Sequence, residues 1–113
     1  GVNQVVRGED LLDSTPRQIW LNRTLGWQEP EYAHVPLLVA GDGRRLAKRD
    51  RDLELGQLQQ MCSAQELVGR LVVLAGLIPE YAPMTPSELI PLFSWSKIPT
   101  QPIIAPDAAC FGK

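Results

Sequence analysis

In the first part of the chain, short apolar runs alternate with polar turns. The run Val2 to Val6 predicts a β-strand, and Gly8, in the polar turn that follows, permits a backbone conformation closed to other residues. Ser14 or Thr15 can cap a helix, because the following proline suits a first helical turn. This helix should end at Gly26.

Beyond this helix, residues 30–36 predict an extended crossing, and the apolar residues 37–39 predict a short buried strand. An Asp-Gly pair in residues 40–43 is typical of a turn with positive φ. The order strand, helix, strand indicates an α/β fragment of the β-α-β kind that extends to about Arg49.

The second half of the chain has helical patterning. Capping boxes at residues 63–66 and 85–88 predict two helix starts. After the first, one helix face carries apolar residues that we interpret as core, namely Leu67, Leu71, Leu74 and Ile78. Pro91 should shorten or kink the second helix, and the proline-rich tail 97–106 should be extended coil. The scattered tryptophans, Trp20, Trp27 and Trp95, are also interpreted as packing residues.

Composition narrows the class of protein. The chain has 113 residues, 44% of them apolar, and a net charge of −2, so we expect one globular domain or a piece of one. No apolar run approaches the ~18 residues of a membrane span, and no leader for export is indicated. Cys62 and Cys110 lie too far apart in sequence to indicate a disulfide framework or a cysteine zinc site. The two isolated cysteines fit a reducing compartment, and we expect a cytoplasmic location. Because the chain opens at Gly1 and enters a strand at once, we also expect it to be a piece of a longer protein.

A basic cluster at residues 44–51 is the strongest anomaly in composition, since it holds five of the eleven basic residues. Such a cluster is often only a solvated loop. Here it follows a glycine turn and a predicted buried strand, and its cations could meet phosphate oxygens. Binding to an RNA backbone is the alternative.

Arg7 is the second candidate for chemistry. It follows a predicted buried strand, where an unpaired charge is costly, so it needs a partner. Asp10 and a substrate carboxylate are equally good partners on this pattern, since a guanidinium matches a carboxylate in two-bond geometry. His34 is the single histidine, and we interpret it as structural, because no catalytic triad or histidine metal site can be built around it.

Four blocks of sequence, taken together, resemble the glutamyl-tRNA synthetase family of class I. They are Val-Val-Arg-Gly-Glu-Asp-Leu-Leu at 5–12, Ser-Thr-Pro-Arg-Gln at 14–18, Tyr-Ala-His-Val-Pro-Leu-Leu at 32–38 and Gly-Arg-Arg-Leu-Ala-Lys-Arg-Asp at 43–50. The resemblance is greatest to the short paralogues, the glutamyl-queuosine tRNA(Asp) synthetases. It implies residues 1–52 as the C-terminal part of a Rossmann-type catalytic domain, followed by a small, mostly helical stem-contact-like segment at 53–113.

The resemblance also implies a role for individual residues. Residues 45–49 resemble the class I signature loop, with Lys48 as the lysine that contacts ATP phosphates and Arg45 in place of the first lysine. Ala47 replaces the family's serine. The other implied roles are glutamate binding for Arg7 and Leu11, and ATP binding for Asp10, Leu37 and Leu38. We therefore expect Arg7 and Lys48 to converge on one cleft.

The implied activity is activation of glutamate by ATP, with Mg²⁺, and transfer to the queuosine base of tRNA(Asp). An ordinary synthetase that charges tRNA(Glu) is the first alternative, and a non-catalytic RNA-binding or adaptor module is the second. No metal ligand is expected among these residues, and the family's zinc ligands, where present, precede this region.

Overall fold

The computed structural model describes residues 1–46 and 55–105. Contacts divide the chain into two units, with the boundary between Leu37 and Leu38. The first unit contains β1 (Gln4–Gly8), a 3₁₀ turn (Glu9–Ser14), α1 (Thr15–Thr24) and β2 (Glu31–Val35). The second contains β3 (Leu38–Val39), α2 (Leu55–Met61), α3 (Ala64–Leu74), α4 (Pro86–Leu89), 3₁₀ turns at Ile90–Leu92 and Trp95–Lys97, and β4 (Ile103–Ile104). Among the helices of the described ranges, none combines the length and apolar content that crossing a bilayer requires.

The first unit is a β-α-β unit, as the sequence predicted. β1 and β2 pair in parallel, and such a pair needs a crossover connection, which α1 provides. However, the second strand lies in the segment that was expected to be only an extended crossing. Pro30 and Pro36 lie just outside the strand, so neither removes a hydrogen bond from the pairing. β1 starts two residues later than predicted, and Val6 is 61% exposed, so the strand is not buried in this chain.

At Gly8 the structure does not use the backbone freedom that the sequence suggested. Its φ of −64° and ψ of 149° are ordinary extended values that any residue adopts. A Cβ atom at this position would lie 2.6 Å from Asp10 Oδ1 and 3.1 Å from Leu37 Cδ2. Glycine is therefore needed here for space rather than for backbone freedom.

The ends of α1 follow the predicted residues with one difference. Ser14 occupies the N-cap position, but its side chain makes no capping hydrogen bond. The neighbouring Thr15 uses its hydroxyl elsewhere, as described below. At the other end Gly26 has a φ of +69°, the left-handed conformation that ends many helices.

In the second unit, β3 pairs in parallel with β4, which lies in the tail that was expected to be coil. The amide of Ala105 extends the pairing by donating to the carbonyl of Val39 at 2.7 Å. Leu37 was predicted in this strand but lies outside it. The turn after β3 is as predicted, since Gly43 has a φ of +82°.

Both predicted capping boxes are confirmed. The amide of Ser63 donates to Glu66 Oε2 at 2.7 Å, and the amide of Thr85 donates to Glu88 Oε2 at 2.7 Å. These backbone hydrogen bonds, followed by those from the hydroxyls, hold the pKa of each glutamate below its ordinary value. α4 ends after four residues and continues as the 3₁₀ turn that contains Pro91.

The buried core of the second unit lies on a different face of α3 from the predicted one. Its buried members are Val72, Leu77 and Met84, and the residues packed against them are Val68, Ala75, Ile78, Leu89 and Ile98. The predicted stripe was wrong for Leu71, which is 40% exposed. The buried face is one position further along because Gly69 lets the chain at 82–83 approach closely. A Cβ atom at Gly69 would overlap the carbonyl oxygen of Ala82 and lie 3.2 Å from Pro83 Cα.

The three tryptophans were also predicted wrongly as packing residues. Trp20, Trp27 and Trp95 are between 50% and 65% exposed. Trp95 makes an edge-to-face contact with Phe93 at a centroid distance of 5.0 Å.

Candidate functional site

The strand register of the first unit places one arginine opposite the only histidine. Arg7 pairs with His34 across β1 and β2, and Val5 pairs with Tyr32. Residues two apart on a strand have side chains on the same face, so all four share one face of the pair. Arg7 also bonds side chains of α1, which shows that this face lies against the helix.

Arg7 donates four hydrogen bonds to residues of three elements. Its Nε donates to His34 Nε2 at 3.2 Å and its Nη1 to Gln18 Oε1 at 2.6 Å. Its Nη2 donates to Thr15 Oγ1 at 2.8 Å and to the carbonyl oxygen of Leu11 at 3.3 Å. A guanidinium has five N–H groups. Among the described residues, only the second hydrogen of Nη1 has no protein acceptor.

Tyr32 completes this set of residues, which we name the Arg7 cluster: Arg7, Leu11, Thr15, Gln18, Tyr32 and His34. The guanidinium carbon of Arg7 lies 5.1 Å from the centroid of the Tyr32 ring. The Tyr32 and His34 rings stack at 6.4 Å with an interplanar angle of 10°. A cation over an aromatic face gains about 0.5–2 kcal/mol. The guanidinium is therefore held both at its edges and on one face.

The geometry also fixes the tautomer of His34. A guanidinium is always protonated and can only donate, so His34 Nε2 must accept. The imidazole is therefore neutral, with its proton on Nδ1. Thr15 Oγ1 lies 3.1 Å from the same Nε2 and 3.3 Å from the carbonyl oxygen of Leu11, and its single proton serves one of them. Thr15 is buried, so this hydroxyl is part of a satisfied internal network.

The four acceptors of Arg7 are all uncharged: an imidazole nitrogen, an amide oxygen, a hydroxyl and a carbonyl. They orient the guanidinium without cancelling its charge. The cluster therefore presents a positive charge that its own acceptors do not neutralise, and an anionic group could bind to it. Asp10 lies exposed in the 3₁₀ turn, with its Oδ1 beside Gly8.

A cavity of about 880 Å³ shares two residues with the Arg7 cluster, Gln18 and Tyr32. Its other lining side chains include Val5, Asn22 and Trp27. Pockets for small molecules are commonly 300–1,000 Å³ and combine apolar walls with a few polar groups. Arg7 does not itself line this cavity, but Gln18 links the two, because its side chain lines the cavity and accepts from Arg7 Nη1.

The other predicted site residues are divided between the two units. Leu11 contributes its carbonyl oxygen to the Arg7 cluster while its side chain is 42% exposed, and Leu37 contacts the Gly8 position. Leu38 belongs to the second unit, where it pairs with Ile103. Arg45 is exposed and forms an antiparallel bridge with Val39.

Lys48 lies outside the described residues. Its convergence with Arg7 on one cleft therefore stays a prediction, as do the roles of the signature loop. Among residues 1–46 and 55–105, no three histidine, cysteine or carboxylate side chains are grouped so as to hold a metal ion.

Sequence reasoning missed most of the Arg7 cluster. Thr15 was considered only as a helix cap, and His34 only as a structural residue. The available signal was spacing. Thr15 and Gln18 are three apart on a helix, and Tyr32 and His34 are two apart on a strand, so each pair shares a face. The second pair becomes informative only when residues 31–35 are recognised as a strand.

The fold of the chain is similar to that of two solved structures. A glutamate-tRNA synthetase from Elizabethkingia anophelis has a similar structure, with a TM-score of 0.73 and 21% identity over 96% of this chain and 26% of that chain. A glutamate tRNA ligase from Elizabethkingia meningosepticum matches equally well. The α/β fragment predicted from the sequence is thereby confirmed.

Sequence comparison identifies the family. Residues 1–94 match the family model described as tRNA synthetases class I (E and Q), catalytic domain, and the chain belongs to this family. It is 47% identical to the Glutamyl-Q tRNA(Asp) synthetase of Nitratidesulfovibrio vulgaris over 107 residues, which are 94% of this chain and 33% of that protein. The Glutamyl-Q tRNA(Asp) synthetase of Symbiobacterium thermophilum has the same identity and coverage, and that of Nocardia farcinica is 45% identical. The resemblance read from the sequence is confirmed, and the chain spans about a third of the length of these relatives.

Proposed function

We propose that the full-length protein carrying this chain activates glutamate with ATP and transfers it to tRNA(Asp), on the queuosine base. The observation that carries this proposal is the 47% identity, over 94% of the chain, to relatives named Glutamyl-Q tRNA(Asp) synthetase. The rival that charges tRNA(Glu) is supported by solved structures at only 21% identity, a level that shows the fold alone. Tests with both tRNAs therefore belong in the first experiment.

The reaction has two steps. A carboxylate oxygen of glutamate attacks the α-phosphorus of ATP, and pyrophosphate leaves as glutamyl-adenylate forms. A nucleophile of the tRNA then attacks the glutamyl carbonyl carbon, and AMP leaves. In both steps the protein mainly positions reactants and offsets negative charge.

Arg7 is proposed to bind a carboxylate of glutamate. Its charge is not cancelled by its four neutral acceptors, and one N–H of Nη1 remains for a ligand. A single charge-assisted hydrogen bond, added to the uncompensated positive charge, suits an anionic ligand. Leu11 supports this role through its carbonyl oxygen.

The remaining roles are proposals that rest on the family. Lys48 and Arg45 would meet the phosphates of ATP, while Asp10, Leu37 and Leu38 would contact the rest of the nucleotide, with Mg²⁺ entering as part of the nucleotide substrate. Residues 1–52 are proposed to belong to the catalytic domain and 53–113 to a stem-contact-like segment. A cytoplasmic location would match the substrates, ATP and tRNA.

The test is a glutamate-dependent ATP–pyrophosphate exchange assay on the full-length protein, followed by charging with labelled glutamate. We expect exchange, and charging of tRNA(Asp) that contains queuosine but not of tRNA(Asp) that lacks it. Charging of tRNA(Glu) instead would establish the rival. No exchange with any amino acid would favour the non-catalytic RNA-binding alternative.

A further inference from the structure

We propose that His34 is a positioning residue for the glutamate-binding arginine. Its Nε2 accepts the Nε–H of Arg7 and thereby fixes the orientation of the guanidinium plane. This inference rests on the proposed function, because it concerns how Arg7 meets glutamate.

The hydrogen bonds of Arg7 hold two edges of the guanidinium against protein acceptors. The Nε edge is bound by His34 on β2, and Nη2 is bound by Thr15 and the carbonyl of Leu11. Nη1 is left with one hydrogen for a ligand and lies beside Gln18, which lines the cavity. Rotation of the planar group about its Cδ–Nε bond would swing both Nη1 and Nη2 out of their present positions. The acceptors on the Nε and Nη2 edges oppose this rotation.

His34 is itself held in place from three directions. Its backbone is paired with Arg7 in the strand register, its ring stacks on Tyr32, and its Nε2 lies 3.1 Å from the hydroxyl of Thr15. A ring that is fixed in this way can orient the guanidinium, whereas a mobile ring could not. The family comparison and the sequence patterns assign no such role to this histidine.

An acceptor at this position is chemically required. Arg7 is half-buried, and an Nε–H without an acceptor would lose a hydrogen bond from a charged donor. Such bonds contribute more than those between neutral groups. The role therefore depends on a lone pair near the Nε2 position and not on the volume of the imidazole ring.

Two variants separate an acceptor from a packing residue. His34→Gln places an amide oxygen about where Nε2 lies, whereas His34→Leu fills similar space with no acceptor. In pyrophosphate exchange by the full-length enzyme, we expect His34→Leu to raise the KM for glutamate about tenfold or more, in keeping with the loss of one charge-assisted hydrogen bond. The KM for ATP should stay within about twofold of wild type, and His34→Gln should restore the KM for glutamate to within about threefold.

The proposal is overturned if the leucine variant keeps the wild-type KM for glutamate, if both variants raise it equally, or if the KM values for glutamate and ATP rise together. Thermal unfolding checks that each variant is folded. If the leucine variant unfolds, His34→Asn replaces it, because the shorter amide does not reach the Nε2 position. Lack of exchange in the wild-type protein would refute the proposed function and this inference together, while an active wild type with an unaffected leucine variant would refute this inference alone.

Discussion

Replacing Arg7 by lysine keeps the positive charge and removes the planar fork. An ammonium has three donors at one point, whereas the guanidinium reaches acceptors on β2, α1 and the 3₁₀ turn. The lysine variant has a methylene where Nε donated to His34, so the donor is no longer held in a fixed direction. If Arg7 binds glutamate as proposed, its charge-assisted hydrogen bond to the substrate carboxylate is then lost. One such bond contributes about 1.5–3 kcal/mol. At 1.36 kcal/mol per factor of ten, the expected rise in KM for glutamate is about 10- to 150-fold.

The assay is glutamate-dependent pyrophosphate exchange with the full-length protein at saturating ATP. Arg23→Lys is the matched control, because Arg23 is an exposed arginine of the same unit that pairs with Glu29. We expect the control to keep the wild-type KM. If Arg7→Lys also kept it, charge alone would suffice, and the argument from guanidinium geometry would fail. If both variants were impaired equally, the effect would not be specific to the Arg7 cluster.

Three further predictions concern stability. Gly69→Ala should lower the free energy of unfolding by about 2 kcal/mol or more, because overpacking forces backbone shifts. The control Gly56→Ala, which has open space around it, should be neutral or stabilising. Chemical denaturation measures both, and an unchanged midpoint for Gly69→Ala would contradict the close approach of residues 82–83. Hydrogen bonds from Ser63 lower the pKa of Glu66 in the folded state, so this carboxylate stabilises the fold fully above the pKa of the unfolded state. That stabilisation is lost as the pH falls through the lower folded pKa. The stability difference between wild type and Glu66→Ala should therefore shrink from pH 7 to pH 3, and a constant difference would refute this. Thr15→Val should cost about 1–3 kcal/mol, because it leaves a half-buried Nη2–H of Arg7 without its acceptor. Circular dichroism should show α1 intact, since this hydroxyl does not cap the helix.

Local chemistry made part of this fold predictable from sequence. Capping boxes such as Ser63 with Glu66 involve residues three apart, and the glycines with positive φ, such as Gly26 and Gly43, mark their own turns. Each of these signals is complete within a few residues. The sequence therefore identified the starts of α1, α3 and α4 and the turns at Gly26 and Gly43, but it did not predict α2.

Long-range pairing was harder to predict. Nothing local indicates that Ile103 pairs with Leu38, since three residues between prolines resemble coil. The buried face of α3 depends on the close approach of residues 82–83 to Gly69, which the helical period alone does not contain.

Only part of the candidate site was predicted, because its grouping also depends on long-range pairing. Arg7 was found because an arginine at the end of a strand demands a partner. Its partners Thr15, Gln18 and His34 were not identified as such, because their grouping depends on the pairing of β1 with β2.

The proline at each end of β2 has a consequence for how this region tolerates insertions and deletions. Pro30 and Pro36 leave room for a strand of only five residues, so the ladder cannot lengthen at either end to absorb a slip. Adding or removing one residue between Glu31 and His34 would turn the imidazole to the opposite side of the ribbon. This short segment should therefore accept exchanges of side chain far more readily than changes of length.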